Sequence, residues 1–429
     1  MVNYAHIKIW EETAGTVSWD PARELASFEY DPKFVTKGLD LSPLKMPLQA
    51  GQVYSFPELS KMTYKGLPGL LADSLPDKFG NALINRWLAE QGRDPDSYNP
   101  IERLLYQGKR GMGALEFEPA ERVVQNSSTK IELEGLIQAA RYALSDREKQ
   151  NADLHDEKEI FQIIKVGTSA GGARAKAVIA YNEATGEIRS GQLNAPEGFS
   201  HWLIKLDGIE NEDKDIKDPM HFGRIEYAYY LMAISCGIEM MESRLLKENG
   251  RFHFMTRRFD RIGGKEKIHM QTLCGLAHFD FNSPGIYSYE QLFQIMRTLR
   301  LPYTAAEQIY RRMVFNVVAR NQDDHSKNFS FLMNKEERWR LAPAYDMTYA
   351  YNPVGKYTSQ HQMSINGKQD GFTRADFLQV AKSMNIKKAN EIIDEVIASV
   401  SQWKQIAREQ GIPPAQIRMI GNVHRLSFV

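Results

Sequence analysis

Between Ile160 and Phe259 the chain follows one order of elements, and that order constrains its fold more than any other feature. Phe161 to Val166 is strand-like. A run of glycines and small residues follows, Gly167 to Arg174. Ala177 to Tyr181 is a second strand, and Thr185-Gly186 marks a turn. His201 to Leu206 is a third apolar strand, interrupted by Lys205. Ile225, Tyr229, Met232, Ala233 and Cys236 then share one face at helical spacing, and Arg251 to Phe259 returns to strand-like alternation. The order is strand, glycine loop, strand, lysine-bearing strand, helix, strand.

The flanking regions read differently. In the first ~120 residues, Ile7–Trp10 and Thr16–Trp19 look like strands on either side of a Gly15 turn, as expected for mixed α and β structure. Pro68 to Glu90 reads as helical with a break at Pro76. Gly108 to Gly113 reads as a tight turn, and Pro119 to Lys130 as a linker. After Arg261 the pattern is mostly helical. Thr304-Ala305-Ala306-Glu307 has the form of a capping box. Ile309, Met313 and Val317 form an apolar column behind it, with Tyr310, Val314 and Val318 alongside, and Phe377–Met384 and Asn390–Ala407 read as further helices. The expected class is α+β. The expected divisions are 1–125, a small mixed subdomain; 131–258, a part built around the glycine loop; and 259–429, a largely helical part.

Composition excludes several function classes. Lys+Arg and Asp+Glu are balanced at 54 each, which argues against a whole-protein attraction to nucleic acid or anionic membrane. The two cysteines, Cys236 and Cys274, cannot build a disulfide framework or a cysteine zinc site. No stretch of 18 apolar residues and no leader-like N-terminus is visible, so a cytoplasmic setting and no membrane partner are expected.

Four segments carry chemistry, and phosphoryl transfer is the reaction that would use all of them. That reaction asks for donors over the phosphates, a cation, metal ligands and a carboxylate that orients the nucleophile. The glycines of 167–174 allow backbone N–H groups to approach phosphate, although Ala173 after Gly172 rules out a Walker A loop. Alone, this run is an ordinary hairpin connection. Lys205 within an apolar strand is costly without a partner, and Glu226 on the next helix matches the lysine–glutamate arrangement of protein kinases. Asp323 and Asn328 have the Asp-x-x-x-x-Asn spacing of a kinase catalytic loop. Asp324 competes with Asp323 but breaks that spacing, and His325 is either a base or a support for the loop. Asp346, in Ala342-Pro343-Ala344-Tyr345-Asp346-Met347, is a carboxylate in an apolar segment, where a metal or cation is its natural partner. Each segment alone has a bland reading as a turn, cap or solvated loop. Their order along one chain is what gives them weight.

These residues resemble the HipA family of bacterial toxin kinases. The likeness is carried by Gly167 to Lys176, His325-Ser326-Lys327-Asn328-Phe329-Ser330 and Pro343-Ala344-Tyr345-Asp346. Further matches are Leu71 to Asp77, Gly111-Met112-Gly113-Ala114, Glu226-Tyr227 and Arg258-Phe259-Asp260-Arg261. The resemblance implies a bilobal, protein-kinase-like core with a small mixed α/β N-terminal subdomain and a largely helical C-terminal lobe. It implies a serine/threonine kinase using ATP and Mg2+, with Asp323 as catalytic aspartate and Asn328 and Asp346 on the metal. It assigns nucleotide binding to Ser169, Ala170, Gly171, Gly172, Ala173, Arg174, Lys176, Lys205, Glu226, Thr256, Arg257, Arg258, Lys327 and Tyr345. It further implies inactivation by autophosphorylation at Ser169, with Thr168 the alternative acceptor. The implied partners are an aminoacyl-tRNA synthetase as substrate, whose phosphorylation stops translation, and a HipB-like helix-turn-helix antitoxin that makes the contact with DNA. Two other functions fit the residues: a small-molecule or lipid kinase, which shares the Asp-x-His-x-x-Asn pattern, and a catalytically weak co-repressor that acts through an antitoxin.

Overall fold

The structure is a computed structural model. It describes residues 2–120, 130, 133, 135–137, 140, 174–191, 194–209, 221–264 and 266–428. The chain divides into two compact units: residues 1–220 with 246–271 and 333–337, and residues 221–245 with 272–332 and 338–429. These units interleave along the chain, so the helix Phe222–Ser235, inside the 131–258 span, belongs to the second unit.

The first unit opens with a five-stranded sheet of β1 (Tyr4–Ile9), β2 (Glu12–Asp20), β3 (Leu25–Tyr30), β4 (Val53–Tyr54) and β5 (Leu115–Glu118), in the order β4-β3-β2-β1-β5. The turn between β1 and β2 is not at Gly15. It is made by Trp10 and Glu11, both at positive φ, while Gly15 lies inside β2. A Cβ at Gly15 would stand 2.3 Å from the Glu29 carbonyl oxygen and 2.7 Å from Phe28 Cζ. The glycine therefore marks a close approach between strands rather than a bend.

Past Pro76, as expected, the helix Lys78–Glu90 begins, with Asp77 as its cap. The helix Pro100–Gln107 starts on a reciprocal Asn99–Glu102 capping box.

A second sheet holds β6 (Lys176–Tyr181), β7 (Ile188–Ser190), β8 (Ser200–Lys205), β9 (Ser243–Glu248) and β10 (Arg251–Arg257), in the order β7-β6-β8-β10-β9. β6 and β10 both run antiparallel to β8, so Lys176 and Phe254 stand opposite Lys205 on its two sides. Ala177, Ile179, Trp202, Ile204 and Met255 bury a core shared with Phe79 and Leu83 of the helix Lys78–Glu90.

The second unit is mainly helical. Its central helix Tyr303–Val318 buries Ile309, Tyr310, Met313, Val314, Val317 and Val318. That helix begins at Tyr303 after Pro302, with Thr304 already inside it, so the Thr304 capping box is not formed. A capping box does form at Ser288, whose hydroxyl accepts from Gln291 N at 3.2 Å while Gln291 Oε1 accepts from Ser288 N at 2.9 Å. The region after Arg261 is less helical than its pattern suggests. It holds the strands Arg261–Ile262, Glu266–Lys267 and His269–Thr272, as well as Ser330–Met333 and Trp339–Leu341.

The expected helix Asn390–Ala407 is two helices, Ala389–Ser401 and Trp403–Glu409. Trp403 is buried at the break, and its Nε1 donates to Ile417 O at 2.9 Å. Cys236 and Cys274 are both buried, and they are not joined in a disulfide. Among the described residues no helix is long and apolar enough to cross a membrane.

Candidate active site

The helix Tyr303–Val318 delivers the chain to the loop that carries Asp323. Arg320 turns the backbone at φ 58°, and Asn321 then pairs with Ala350 in an isolated parallel bridge. Asn321 Nδ2 also donates to Asn316 Oδ1 at 2.9 Å.

Two adjacent aspartates follow, in opposite environments. The Asp324 carboxylate is wholly buried. Its Oδ2 accepts from Tyr289 Oη at 2.8 Å and from His361 Nδ1 at 2.9 Å, and its Oδ1 accepts from Gln362 N at 2.8 Å. Asn316 Nδ2 donates to the same tyrosine oxygen at 2.9 Å. Burial, followed by the Asp324 charge, pushes the Tyr289 phenol well above its ordinary pKa and keeps it a donor. The Asp323 side chain, by contrast, is 48% exposed.

His325 Nε2 lies 3.7 Å from Asp323 Oδ1, and its ring packs against Phe281. Its other nitrogen, Nδ1, is buried without a hydrogen-bond partner. The ring is packed into the loop and turns one nitrogen toward the Asp323 carboxylate.

The loop closes with a short 3₁₀ turn, Ser326–Asn328, in which Ser326 Oγ donates to Phe279 O at 2.5 Å. Asn328 Nδ2 donates to Asp323 O at 2.7 Å, which commits the nitrogen end of the amide and leaves its oxygen as the group able to meet a cation. Lys327 Nζ sits 4.7 Å from the centre of the Phe281 ring.

Tyr345 ties this loop to the second acidic segment. Its hydroxyl donates to Lys327 O at 2.6 Å and shares a short hydrogen bond with Ser330 Oγ. Next to it, Asp346 adopts φ 53°, a conformation few residues other than glycine take up without cause. Among the described residues no group of three or more His, Cys, Asp or Glu side chains is set to hold a metal. Asn328 and Asp346, the metal ligands that the resemblance implies, both lie in the second unit.

In the first unit, Lys205 is half-buried, with Nζ 5.8 Å from the centre of the Phe254 ring. Lys176 is buried, and its Nζ is 3.1 Å from Asp77 Oδ2. Thr256 and Arg257 pair with Leu203 and Trp202 at the end of β10. Arg258 points inward. Its guanidinium binds Asp260 from Nε at 2.8 Å and Nη2 at 2.7 Å, and its backbone N donates to His201 O at 2.9 Å. The Arg258 side chain is thereby committed to the interior, so a nucleotide near this segment would have only its backbone to meet.

Asp260 also accepts from Gly113 N at 2.7 Å and from Arg261 Nη1 at 2.7 Å, and Arg261 Nη2 donates to Gly111 O at 3.0 Å. The Gly108–Gly113 loop is thus occupied by this buried charge cluster. Glu226 is buried near the start of its helix in the second unit. Arg174 is described as half-buried, but Thr168, Ser169, Ala170, Gly171, Gly172 and Ala173 lie outside the described residues.

Sequence reasoning missed Asp77 as a partner of Lys176, and Tyr289, His361 and Gln362 as the cradle of Asp324. Asp77 carries no signal beyond its place in the Leu71 to Asp77 segment, and the other three lie 35 to 38 residues from Asp324, beyond any local signal.

The model of the HipA N-terminal domain matches residues 5–118, and that of the HipA-like C-terminal domain matches residues 168–404. A "Putative kinase" of Haemophilus influenzae is 21% identical over 232 residues, covering 47% of this chain and 67% of that protein. A "Putative kinase" of Sinorhizobium fredii is 24% identical over 205 residues, covering 43% of this chain and 48% of the relative. The fold is similar to that of a chain in the complex of HipA, HipB and operator DNA from the Shewanella oneidensis MR-1 toxin–antitoxin system. The TM-score is 0.68 at 17% identity, over 97% of this chain and 95% of that one. With one family model spanning more than half of its length and a second covering most of its first 120 residues, this chain belongs to the HipA family.

Proposed function

We propose that this protein is an ATP- and Mg2+-dependent protein serine/threonine kinase, acting in the cytoplasm as the toxin of a HipA/HipB-like pair. The observation that carries the reading is the division of labour between Asp323 and Asp324. One is locked by three hydrogen bonds and cannot reach a substrate, while the other is exposed on the loop so anchored.

In this reading Asp323 orients the acceptor hydroxyl and takes its proton. The bond from the γ-phosphorus to the β,γ-bridging oxygen breaks, a bond to the acceptor oxygen forms, and ADP leaves. Asn328 Oδ1 and the Asp346 carboxylate would hold Mg2+, which supplies positive charge to the phosphates. Lys205 adds a cation there, with Arg174, Lys176, Glu226, Thr256, Arg257, Lys327 and Tyr345 shaping the nucleotide site.

The family membership and the two kinase-named relatives support this assignment. The same membership is the basis for proposing an aminoacyl-tRNA synthetase as acceptor, a HipB-like antitoxin as partner, DNA contact only through that antitoxin, and self-inactivation at Ser169.

The test is incubation of the protein with cell lysate, Mg2+ and ATP labelled on its γ-phosphate, followed by identification of the labelled molecule. Labelled phosphoserine or phosphothreonine on a protein, lost in Asp323→Asn, is the expected result. Label confined to a small molecule would sink the protein-kinase reading. A protein without label or Mg2+–ATP-dependent thermal stabilisation would favour a co-repressor.

A further inference from the structure

The N-terminal domain supplies a charge to the strand pair that carries Lys205. Asp77 caps the helix Lys78–Glu90, its Oδ1 accepting from Gly80 N at 2.6 Å. Its Oδ2 is the atom 3.1 Å from Lys176 Nζ, and the two side chains are 5% and 2% exposed. Lys176 opens β6 directly opposite Lys205 in β8. Two cations at opposed positions on neighbouring strands share a face and repel each other. Asp77 cancels one of them. It does so from a rigid mount, since Phe79 and Leu83 of its helix pack into the same core as Ala175, Ala177, Ile204 and Met255.

We propose that Asp77 is a positioning residue for the nucleotide site. It neutralises Lys176 and pins the start of β6, so that Lys205 keeps the charge and placement needed to meet phosphate. Residues 5–118 are then part of the nucleotide-binding apparatus and not a separable module. This inference rests on the reading of Lys205 as the phosphate-contacting cation.

The experiment uses full-length protein. Asp77→Asn, Lys176→Met and the double variant are compared with wild type, with Lys205→Met as reference. The readouts are the Kd for Mg2+–ATP by calorimetry, kcat and KM for ATP, and melting temperature. Asp77→Asn is expected to raise Kd and KM about ten-fold, as expected for coupling between neighbouring sites, with kcat changed less than about two-fold. Lys176→Met, which strands the Asp77 carboxylate, is expected to weaken binding similarly, and it serves as the test should Asp77→Asn fail to fold. The double variant, with both charges gone, is expected to bind more tightly than either single variant.

Single variants that melt lower but bind ATP like wild type would reduce the pair to a structural tie and overturn the proposal. So would a double variant as weak as the singles. Wild-type protein that binds no Mg2+–ATP, or Lys205→Met that binds it normally, would instead overturn the function on which the proposal rests.

Discussion

Replacing each of the paired aspartates by asparagine separates the two roles, and the sizes follow from the structure. In Asp324→Asn one carboxylate oxygen becomes an NH2 group inside a site that presents only donors: Tyr289 Oη, His361 Nδ1 and Gln362 N. If the NH2 takes the Oδ1 side it faces the Gln362 N–H, which cannot turn away. If it takes the Oδ2 side it faces both the tyrosine and the histidine. Losing one hydrogen bond to a charged group costs about 1.5–3 kcal/mol, and a stranded buried donor adds about 1–3 kcal/mol, so roughly 3–5 kcal/mol is expected. At about 2–4 °C per kcal/mol for a unit of this size, the melting point falls by roughly 6–20 °C. Asp323→Asn removes a charge from an exposed side chain and should shift stability by less than about 0.5 kcal/mol. Phosphoryl transfer should respond the other way. Asp323→Asn loses about 10²- to 10⁴-fold in rate, the usual worth of a positioned base. Asp324→Asn, assayed well below its melting point, keeps most of its activity. Differential scanning fluorimetry and transfer of labelled phosphate measure both. An Asp324→Asn protein with wild-type melting and no activity would refute the argument, as would an Asp323→Asn protein that transfers phosphate normally.

Acid should destabilise the fold through two buried histidines. Burial pushes His269 down to about 4, against a weaker opposing effect of the Leu41 carbonyl, and burial followed by Arg320 pushes His424 down to about 4. Each is neutral when folded and binds a proton more readily when unfolded. Its stabilising contribution is therefore full above pH 6.5 and is lost as pH falls through 4, at roughly 3 kcal/mol each. Urea midpoints measured between pH 7.5 and 4.5 should fall accordingly, and His269→Gln should flatten the slope. Gly15→Ala, with nowhere for a Cβ beside the Glu29 carbonyl, should cost about 1–3 kcal/mol in the same assay. Burial pushes the Asp260 carboxyl up, but Arg258 and Arg261 more than reverse this and hold it below the usual carboxylate range. Asp260→Asn leaves those guanidinium groups uncompensated and should cost about 3–5 kcal/mol by urea unfolding.

Local signals were legible in the sequence where one residue type has one physical use. The strands around Lys205, the break at Pro76 and the apolar column of the helix Tyr303–Val318 are all of that kind. Signals failed where a residue had two uses. Gly15 serves close strand contact as readily as a turn, and the choice was made by Trp10 and Glu11 adopting positive φ. Thr304 can cap a helix or sit in its first turn, and Pro302 started the helix two residues earlier. Arg258 can face a nucleotide or a buried aspartate, and only folding puts Asp260, Gly111 and Gly113 around it. The site showed the same limit. Spacing favours Asp323 over Asp324, while the groups that bury Asp324 lie more than 30 positions away.

Such distant groups also explain how a short loop can hold one exposed carboxylate in place. Between Ala319 and Asn328 nearly every side chain or carbonyl is tied to a different part of the second unit. Ala319 O accepts from Tyr229 Oη at 2.7 Å, and Arg320 Nε donates to Val423 O at 2.8 Å. Asn321 is bridged to Ala350, Asp324 to three groups, Ser326 to Phe279, and the Lys327 carbonyl to Tyr345. Asp323 is held within the loop, its carbonyl by Asn328, and its half-exposed carboxylate has His325 Nε2 3.7 Å away. A group meant only to stabilise the fold would be expected on the buried side of such a scaffold, where Asp324 is. In the proposed function, anchoring its neighbours while leaving this one acid exposed would lower the entropy lost when it meets a substrate, without burying it where its charge would be costly. In the proposed function the adjacent aspartates are therefore not redundant: Asp324 would carry the stability that lets Asp323 act.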